Sequence, residues 1–264
     1  MTTSSQRSNM TPDRTDLVRA IVEASHRLAA RGLVAATDGN ISARLPGGTF
    51  LTTRTGLAKG SARPEDILEV DASGGVVGSS LRPSTELGMH LSIYAERPDV
   101  NAVVHAHPPY ATAFAVAGLA IRDNVFPEVI VGLGSIPLAA YATPSTPEVA
   151  ASLAPYVREC NAILLRNHGV VTYGVSVEEA YLRMEKVEHA AHILLLARLL
   201  GGETVLTHDQ LQRLAAISPG SYGKSVRVEA PDSLPAPARA ESNAPLPEDE
   251  VLAAIRTMIQ KGNA

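Results

Sequence analysis

The chain has 264 residues, 45% hydrophobic and 19% charged, which is enough apolar side chain to core one large domain or two small ones. With 23 basic and 27 acidic side chains the formal charge is −4, which excludes a general polyanion binder and leaves room for one small phosphate held locally. Trp is absent, and the aromatics are 7 Tyr and 3 Phe, too few for a stacking platform on single-stranded nucleic acid.

Residues 1–11 are polar with no apolar h-region, so they read as a disordered start rather than a signal peptide. Thr11 before Pro12 predicts a helix start, with a hydroxyl cap ahead of Pro at the first position. Leu17, Ile21, Ala24 and Leu28 then recur at helical spacing, and Gly32 stops the run. Over 41–77 short apolar runs broken by turns predict two hairpins. The first pairs 41–45 with 49–53 around Pro46-Gly47-Gly48; the second pairs 67–70 with 76–77 around Ala72-Ser73-Gly74-Gly75. A helix is expected over 85–96, a buried strand over 102–106 and a helix over 110–117. Strands follow at 136–140 and 162–165, separated by a helix after Pro147. Ser176-Val177-Glu178-Glu179 has capping-box spacing; it opens a long helix to Leu200 that Gly201-Gly202 ends. A shorter helix is expected over 208–217. Pro231, Pro235, Pro237, Pro245 and Pro247 predict an extended or disordered linker over 221–247. Residues 248–264 form a tail in which 248–259 has an amphipathic helical pattern. The economical reading is one α/β domain over 12–220, then linker and tail. The most apolar late stretch, 193–200, contains Arg198 and falls well short of the ~20 residues that cross a bilayer.

Cys160 is the single cysteine, so no internal disulfide or cysteine-based metal cluster is available. Any metal must be held by histidines and carboxylates. With no apolar leader either, a soluble cytoplasmic protein is expected. The main chemical signal is Val103-Val104-His105-Ala106-His107. Strand side chains alternate faces, so His105 and His107 point the same way. Two imidazoles one pleat apart can chelate a divalent ion, although the same spacing suits a pair of hydrogen-bonded strand histidines. His168 follows a buried strand and precedes Gly169, where a loop reaches a site or simply turns. Glu86 lies in the first turn of the helix before the His-x-His strand. There a carboxylate completes a three-His site or only complements the helix dipole.

A second set is small and polar: Gly39-Asn40 before a strand, Thr53-Arg54-Thr55-Gly56 at a strand end, and Ser84-Thr85 at a helix start. Together such hydroxyls, amide and backbone N–H groups make a phosphate site with little net charge; singly each is an ordinary turn or cap. His26, His90, His189, His192 and His208 fall on expected helices. His189 and His192, three apart, have metal-ligand spacing but read as helix-face or interface residues.

Gly39-Asn40-Ile41-Ser42, Thr55-Gly56, Ser84-Thr85-Glu86, His105-Ala106-His107-Pro108-Pro109 and Asn167-His168-Gly169 occur in an order and spacing that resembles the class II aldolase/adducin family, and within it the L-fuculose-1-phosphate aldolases, over about residues 15–215. The resemblance implies a three-layer α/β/α fold with a central, mainly antiparallel sheet. It also implies a homotetramer with active sites at subunit interfaces. His105, His107 and His168 then stand as ligands of Zn2+, with Mn2+ or Co2+ able to use the same set. Glu86 stands as the acid/base. Asn40, Thr55, Gly56, Ser84 and Thr85 stand as the phosphate site, Thr85 replacing the second Ser of many relatives. One departure is plain. Fuculose-phosphate aldolases carry a catalytic Tyr, donated by a neighbouring subunit, ahead of the strand near Ile136. Here that place holds Glu128, in Phe126-Pro127-Glu128-Val129-Ile130, as in methylthioribulose-1-phosphate dehydratases of the family; otherwise Glu128 faces solvent on a loop. A family Tyr near the C-terminus matches Tyr222 loosely.

The implied activity is metal-dependent retro-aldol cleavage of a phosphorylated ketose, such as L-fuculose 1-phosphate or a 5-deoxy-ketose 1-phosphate. The products are dihydroxyacetone phosphate and an aldehyde, formed through a metal-stabilised enediolate. The alternatives are a dehydratase using Glu128, a family decarboxylase, and a non-catalytic adducin-like module. The partner is a small phosphorylated sugar, with no nucleic acid or membrane.

Overall fold

The computed structural model describes residues 12–121 and 124–222. The first helix, α1 (Arg14–Ala30), buries the Leu17, Ile21, Ala24 and Leu28 stripe. Its start differs from the sequence expectation. Asp13 caps it by accepting from the Asp16 N–H at 2.9 Å, a carboxylate at the dipole's positive end; Thr11 lies outside the described residues. Gly32 follows with a φ of +65°, the left-handed turn that glycine supplies.

The two expected hairpins form as β1 (Asn40–Arg44) with β2 (Phe50–Thr53), and β3 (Ile67–Val70) with β4 (Val76–Val77), all antiparallel. The remaining strands are β5 (Ala102–Ala106), β6 (Leu138–Ala139), β7 (Ala162–Leu165) and β8 (Gly169–Gly174). They make one eight-stranded sheet in the order β4-β3-β2-β1-β5-β8-β7-β6. Every pairing is antiparallel except β6 with β7. The expected strand over 136–140 is therefore only its centre, and Ile136 makes an isolated bridge to Ile121. β8 was not anticipated.

The side-chain alternation of the strands sorts the core into two layers. Ala102, Val104 and Ala106 of β5, with Ile41, Leu164 and Val170, pack under α1, α3 (Pro109–Val116) and α6 (Val177–Leu199). Val103, with Ile163, Val171 and Tyr173, faces the opposite layer of α2 (Leu87–Glu96) and α5 (Pro147–Leu153). This is the expected α/β/α sandwich. By the same alternation, His105 points to the α2 side.

α6 opens as the capping spacing predicts, Ser176 Oγ accepting from the Glu179 N–H at 3.1 Å. The reciprocal half is displaced by one residue, because the Glu179 carboxylate takes the Val175 N–H at 2.7 Å and pairs with Arg183 at 2.6 Å. α4 (Pro127–Gly132) occupies a stretch expected as loop. α7 (His208–Tyr222) runs beyond the expected end at 217 and crosses the expected domain boundary at 220. The expected disordered start (1–11), the rest of the linker (223–247) and the tail (248–264) lie outside the described residues. Among the described residues no helix is long and apolar enough to cross a membrane.

Candidate active site

The end of β5, the β7–β8 turn and the start of α2 converge on the α2 side of the sheet. His105 is fully buried, and its Nδ1–H donates to the Val170 carbonyl at 2.9 Å. That bond fixes the tautomer and turns the Nε2 lone pair inward. His107 lies just past the strand, anchored by its backbone N–H on the Leu33 carbonyl at 3.1 Å. Its Nε2 faces His105 Nε2 at 3.1 Å, and its Nδ1 lies 3.5 Å from Asp38 Oδ2. Burial first, then the neighbouring His105 and His168, push the His107 pKa down to about 4, so the ring is neutral at neutral pH with a lone pair to give.

His168 arrives on the tight turn after β7. Asn167 adopts a φ of +56°, a left-handed conformation that Asn tolerates, and the His168 N–H closes on the Leu165 carbonyl at 3.0 Å. Ligand nitrogens of His105, His107 and His168 lie within 4.8 Å of one another. Two glycines permit this convergence. A Cβ on Gly39 would lie 2.7 Å from the His105 carbonyl, and one on Gly169 would lie 2.6 Å from both the Ala106 carbonyl and His107 Cδ2. Gly39 also has a φ of +76°.

Glu86 stands at the N-cap position of α2, rather than inside its first turn, with its carboxylate making no capping bond. Its Oε1 is 3.1 Å from His168 Nε2 and its Oε2 is 3.3 Å from His105 Nε2. Asn40, cross-strand neighbour of His105, donates its amide to Glu86 Oε2 at 2.8 Å. Burial works to raise the Glu86 carboxyl, but His105 and His168 outweigh it and hold it well below the usual carboxylate range. Two imidazole nitrogens facing each other at 3.1 Å need a shared cation or proton between them. Three imidazoles with an adjacent ionised carboxylate fit a divalent metal with one exchangeable position.

The hydroxyl-rich segments are zipped together. The Thr55 N–H donates to the Arg82 carbonyl at 3.0 Å, the Ser84 N–H to Thr53 at 3.3 Å, and Arg54 bridges Pro83. Thr55 and Gly56 are thereby brought beside Ser84 and Thr85, with Gly56 at a φ of +65°. Ser84 Oγ takes the Glu86 N–H at 3.3 Å, and Thr85 Oγ1 is 2.9 Å from Ser145 Oγ. Asn40 adjoins this group, since the next residue's N–H, that of Ile41, donates to Thr53 Oγ1 at 3.2 Å; its own Oδ1 is buried and unpartnered. A cleft of about 300 Å³ opens beside Glu86, lined by Thr85, Met89, Ser145, Thr146 and Val149 among others.

Glu128 is not joined to this cluster within one chain. It sits exposed in the first turn of α4, which packs on α6 and α7, and its backbone carbonyl accepts from Lys186 at 3.4 Å. The Tyr222 side chain lies outside what the structure describes. The other histidines have local partners. His26 Nε2 meets the Ala62 carbonyl at 2.9 Å, His192 stacks on Tyr110, His189 lies by Phe126 and His208 meets Gln212. Sequence reasoning missed Asp38, Ser145 and the buried His90–Ser42–Tyr94 chain, in which Ser42 Oγ is 2.7 Å from His90 Nδ1 and 2.8 Å from the Tyr94 hydroxyl. Asp38 directly precedes the quoted Gly39-Asn40, which was a usable signal; the chain of three spans two elements and had none.

The family model for class II aldolase and adducin N-terminal domains matches residues 19–195. A 5-methylthioribulose-1-phosphate/5-deoxyribulose-1-phosphate aldolase of Rhodospirillum rubrum is 31% identical over 222 residues, 84% of this chain and 99% of the relative. A 3-oxo-tetronate 4-phosphate decarboxylase of Escherichia coli is 34% identical over 170 residues, 63% of this chain and 80% of the relative. The solved L-fuculose-1-phosphate aldolase of Thermus thermophilus superposes with a TM-score of 0.65 at 36% identity, covering 73% of this chain and 100% of that one.

Proposed function

The chain belongs to the class II aldolase and adducin family, and from that premise we propose that it is a metal-dependent aldehyde-lyase cleaving a phosphorylated ketose to dihydroxyacetone phosphate and an aldehyde. L-Fuculose 1-phosphate and 5-deoxy-ketose 1-phosphates are the substrates of choice. The observation that carries the reading is the Glu86 carboxylate lying 3.1 Å and 3.3 Å from two imidazoles of a three-histidine cluster. His105, His107 and His168 would hold the metal, with Zn2+ the first choice for this nitrogen-rich set. When bound, the cation supplies a Lewis acid for the ketose carbonyl and its neighbouring hydroxyl.

The chain's own residues carry the rest. Asn40, Thr55, Gly56, Ser84 and Thr85 grip the phosphate through the amide, hydroxyls and backbone N–H groups, which fixes the sugar's register. Breaking the C3–C4 bond leaves its electron pair on C3, next to the C2 carbonyl, and releases the rest of the sugar as an aldehyde. Glu86 moves the proton at C3 of that three-carbon fragment. Its ionised state suits it to take that proton in the condensation direction; in cleavage it first gains a proton from solvent and then delivers it to C3. Asn40 holds Glu86 through Oε2. The proton that the C4 hydroxyl gives up as it becomes the aldehyde needs a further group to take it. In a homotetramer Glu128 of a neighbouring copy is suited to that place, because it is exposed and remote from its own chain's cluster.

A second reading is decarboxylation of a phosphorylated 3-oxo acid, favoured by the 34% identity to the E. coli decarboxylase. It uses the same groups, with carbon dioxide leaving in place of the aldehyde. Dehydration through Glu128 is the third outcome of the same assay. Product analysis by NMR with metal-loaded protein separates all three. Two fragments mean lyase chemistry on a ketose, carbon dioxide means decarboxylation, and a single phosphoketone means dehydration.

A further inference from the structure

Lys59 is buried to 1% exposure, with no carboxylate in contact among the described residues. It sits on a short 3₁₀ turn, Lys59–Ser61, packed against α1. Gly60 lets the two approach, since a Cβ there would already be 3.3 Å from Ala29 Cβ. The ammonium donates to the Leu57 carbonyl at 2.7 Å and the Thr37 carbonyl at 3.1 Å. Both segments lead into residues of the candidate site. Leu57 follows Thr55-Gly56, and Thr37 leads into Asp38, Gly39 and Asn40.

A buried ammonium is expensive for the fold. Burial here is the main influence on Lys59, and it pushes the pKa down to about 8; Asp38 and Glu86 oppose it only in part, and Arg54 adds to it. The two carbonyl acceptors offset that cost only in part, since neither carries a full negative charge. An anion bound at Thr55-Gly56 offsets that cost, because positive charge in a low-dielectric surround acts strongly on a nearby phosphate.

The geometry points to Lys59 as the positioning residue of the anion site, its ammonium clamping the 55–57 and 37–40 backbones together and biasing the cradle toward a phosphate. This rests on the reading of Thr55, Gly56, Ser84 and Thr85 as that cradle.

The test uses the full-length, metal-loaded protein with inorganic phosphate as the probe, by calorimetric titration. K59Q keeps donors for the carbonyls and removes the charge; K59R keeps both. K59Q should weaken phosphate binding by about tenfold or more, and K59R should stay within about threefold of wild type. With a phosphorylated ketose, K59Q should raise KM while kcat stays within about threefold, a split that general destabilisation does not produce. Wild-type phosphate affinity in K59Q, beside weakened binding in a T55V/S84A double variant, overturns the role of Lys59 alone. Wild-type affinity in T55V/S84A overturns the cradle and the inference with it. Should K59Q not fold, the wild-type protein decides. With ¹⁵N-labelled lysines, of which Lys59, Lys186, Lys224 and Lys261 are the full set, the Lys59 Nζ resonance should move on adding phosphate. A resonance that stays put overturns the inference.

Discussion

A Cβ on Gly169 would lie 2.6 Å from Cδ2 of His107, so the turn that delivers one histidine of the cluster packs directly on the ring of another. The Ala106 carbonyl, at the same 2.6 Å, blocks the way out on the backbone side. G169A should therefore push His107 out of register. Metal affinity should fall by about tenfold or more, measured by competition with a chelator, and thermal stability should drop by a few degrees. Wild-type metal affinity in G169A would mean that the His107 ring is free to move without cost.

Glu86 touches both His105 and His168, yet its proposed task is to move a proton. E86Q keeps the shape and removes the base. Metal stoichiometry by elemental analysis should remain at the wild-type value, while turnover falls by roughly 10²–10⁴. A fully active E86Q would remove Glu86 from the chemistry.

Asp38 Oδ2 is 3.5 Å from His107 Nδ1, on the side of the ring away from His105. A carboxylate there orients the imidazole and raises its basicity as a ligand. D38N should weaken metal binding by about 10–100-fold and leave the far-UV circular dichroism spectrum unchanged. Equal metal affinity in D38N and wild type would show that the ring is held by packing alone.

His90 predicts the acid side of the stability curve. It is fully buried, and burial, reinforced by His105 and opposed by Glu86, pushes its pKa down to about 3, against roughly 6.5 in an unfolded chain. The unfolded state therefore binds the proton more tightly between those values. This contribution costs nothing above about pH 6.5 and grows as pH falls toward 3, removing about 1 kcal/mol between pH 6 and 5. Denaturant unfolding of wild type and H90Q at several pH values checks it. H90Q should show the shallower pH slope, whatever its stability at pH 7; equal slopes would contradict a neutral buried His90.

The histidine pair was legible because strand alternation is local: Val103-Val104-His105-Ala106-His107 states which residues share a face before any partner strand is known. The same held for the Leu17–Leu28 stripe of α1. Competition between neighbouring caps was harder to read. Asp13 accepts the Asp16 N–H where Thr11-Pro12 had the expected spacing, since a carboxylate also interacts with the helix dipole. β8 escaped notice because it begins at a glycine, and the need for that glycine arises from His107 and Ala106, some sixty residues earlier, not from its neighbours. Pro127 at the first position of α4 was a helix signal that the loop reading passed over. Asp38 and Lys59 meet His107, Thr37 and Leu57 through contacts that only the folded sheet brings about.

The central claim is carbon–carbon cleavage of a phosphorylated ketose, and NMR product analysis tests it most directly. Metal-loaded protein would be offered fuculose-, 5-deoxyribulose- and methylthioribulose-1-phosphates, with and without chelator. The account predicts dihydroxyacetone phosphate and one aldehyde, both lost on chelation. A single dehydrated phosphoketone, or turnover only of a phosphorylated 3-oxo acid with release of carbon dioxide, would contradict it.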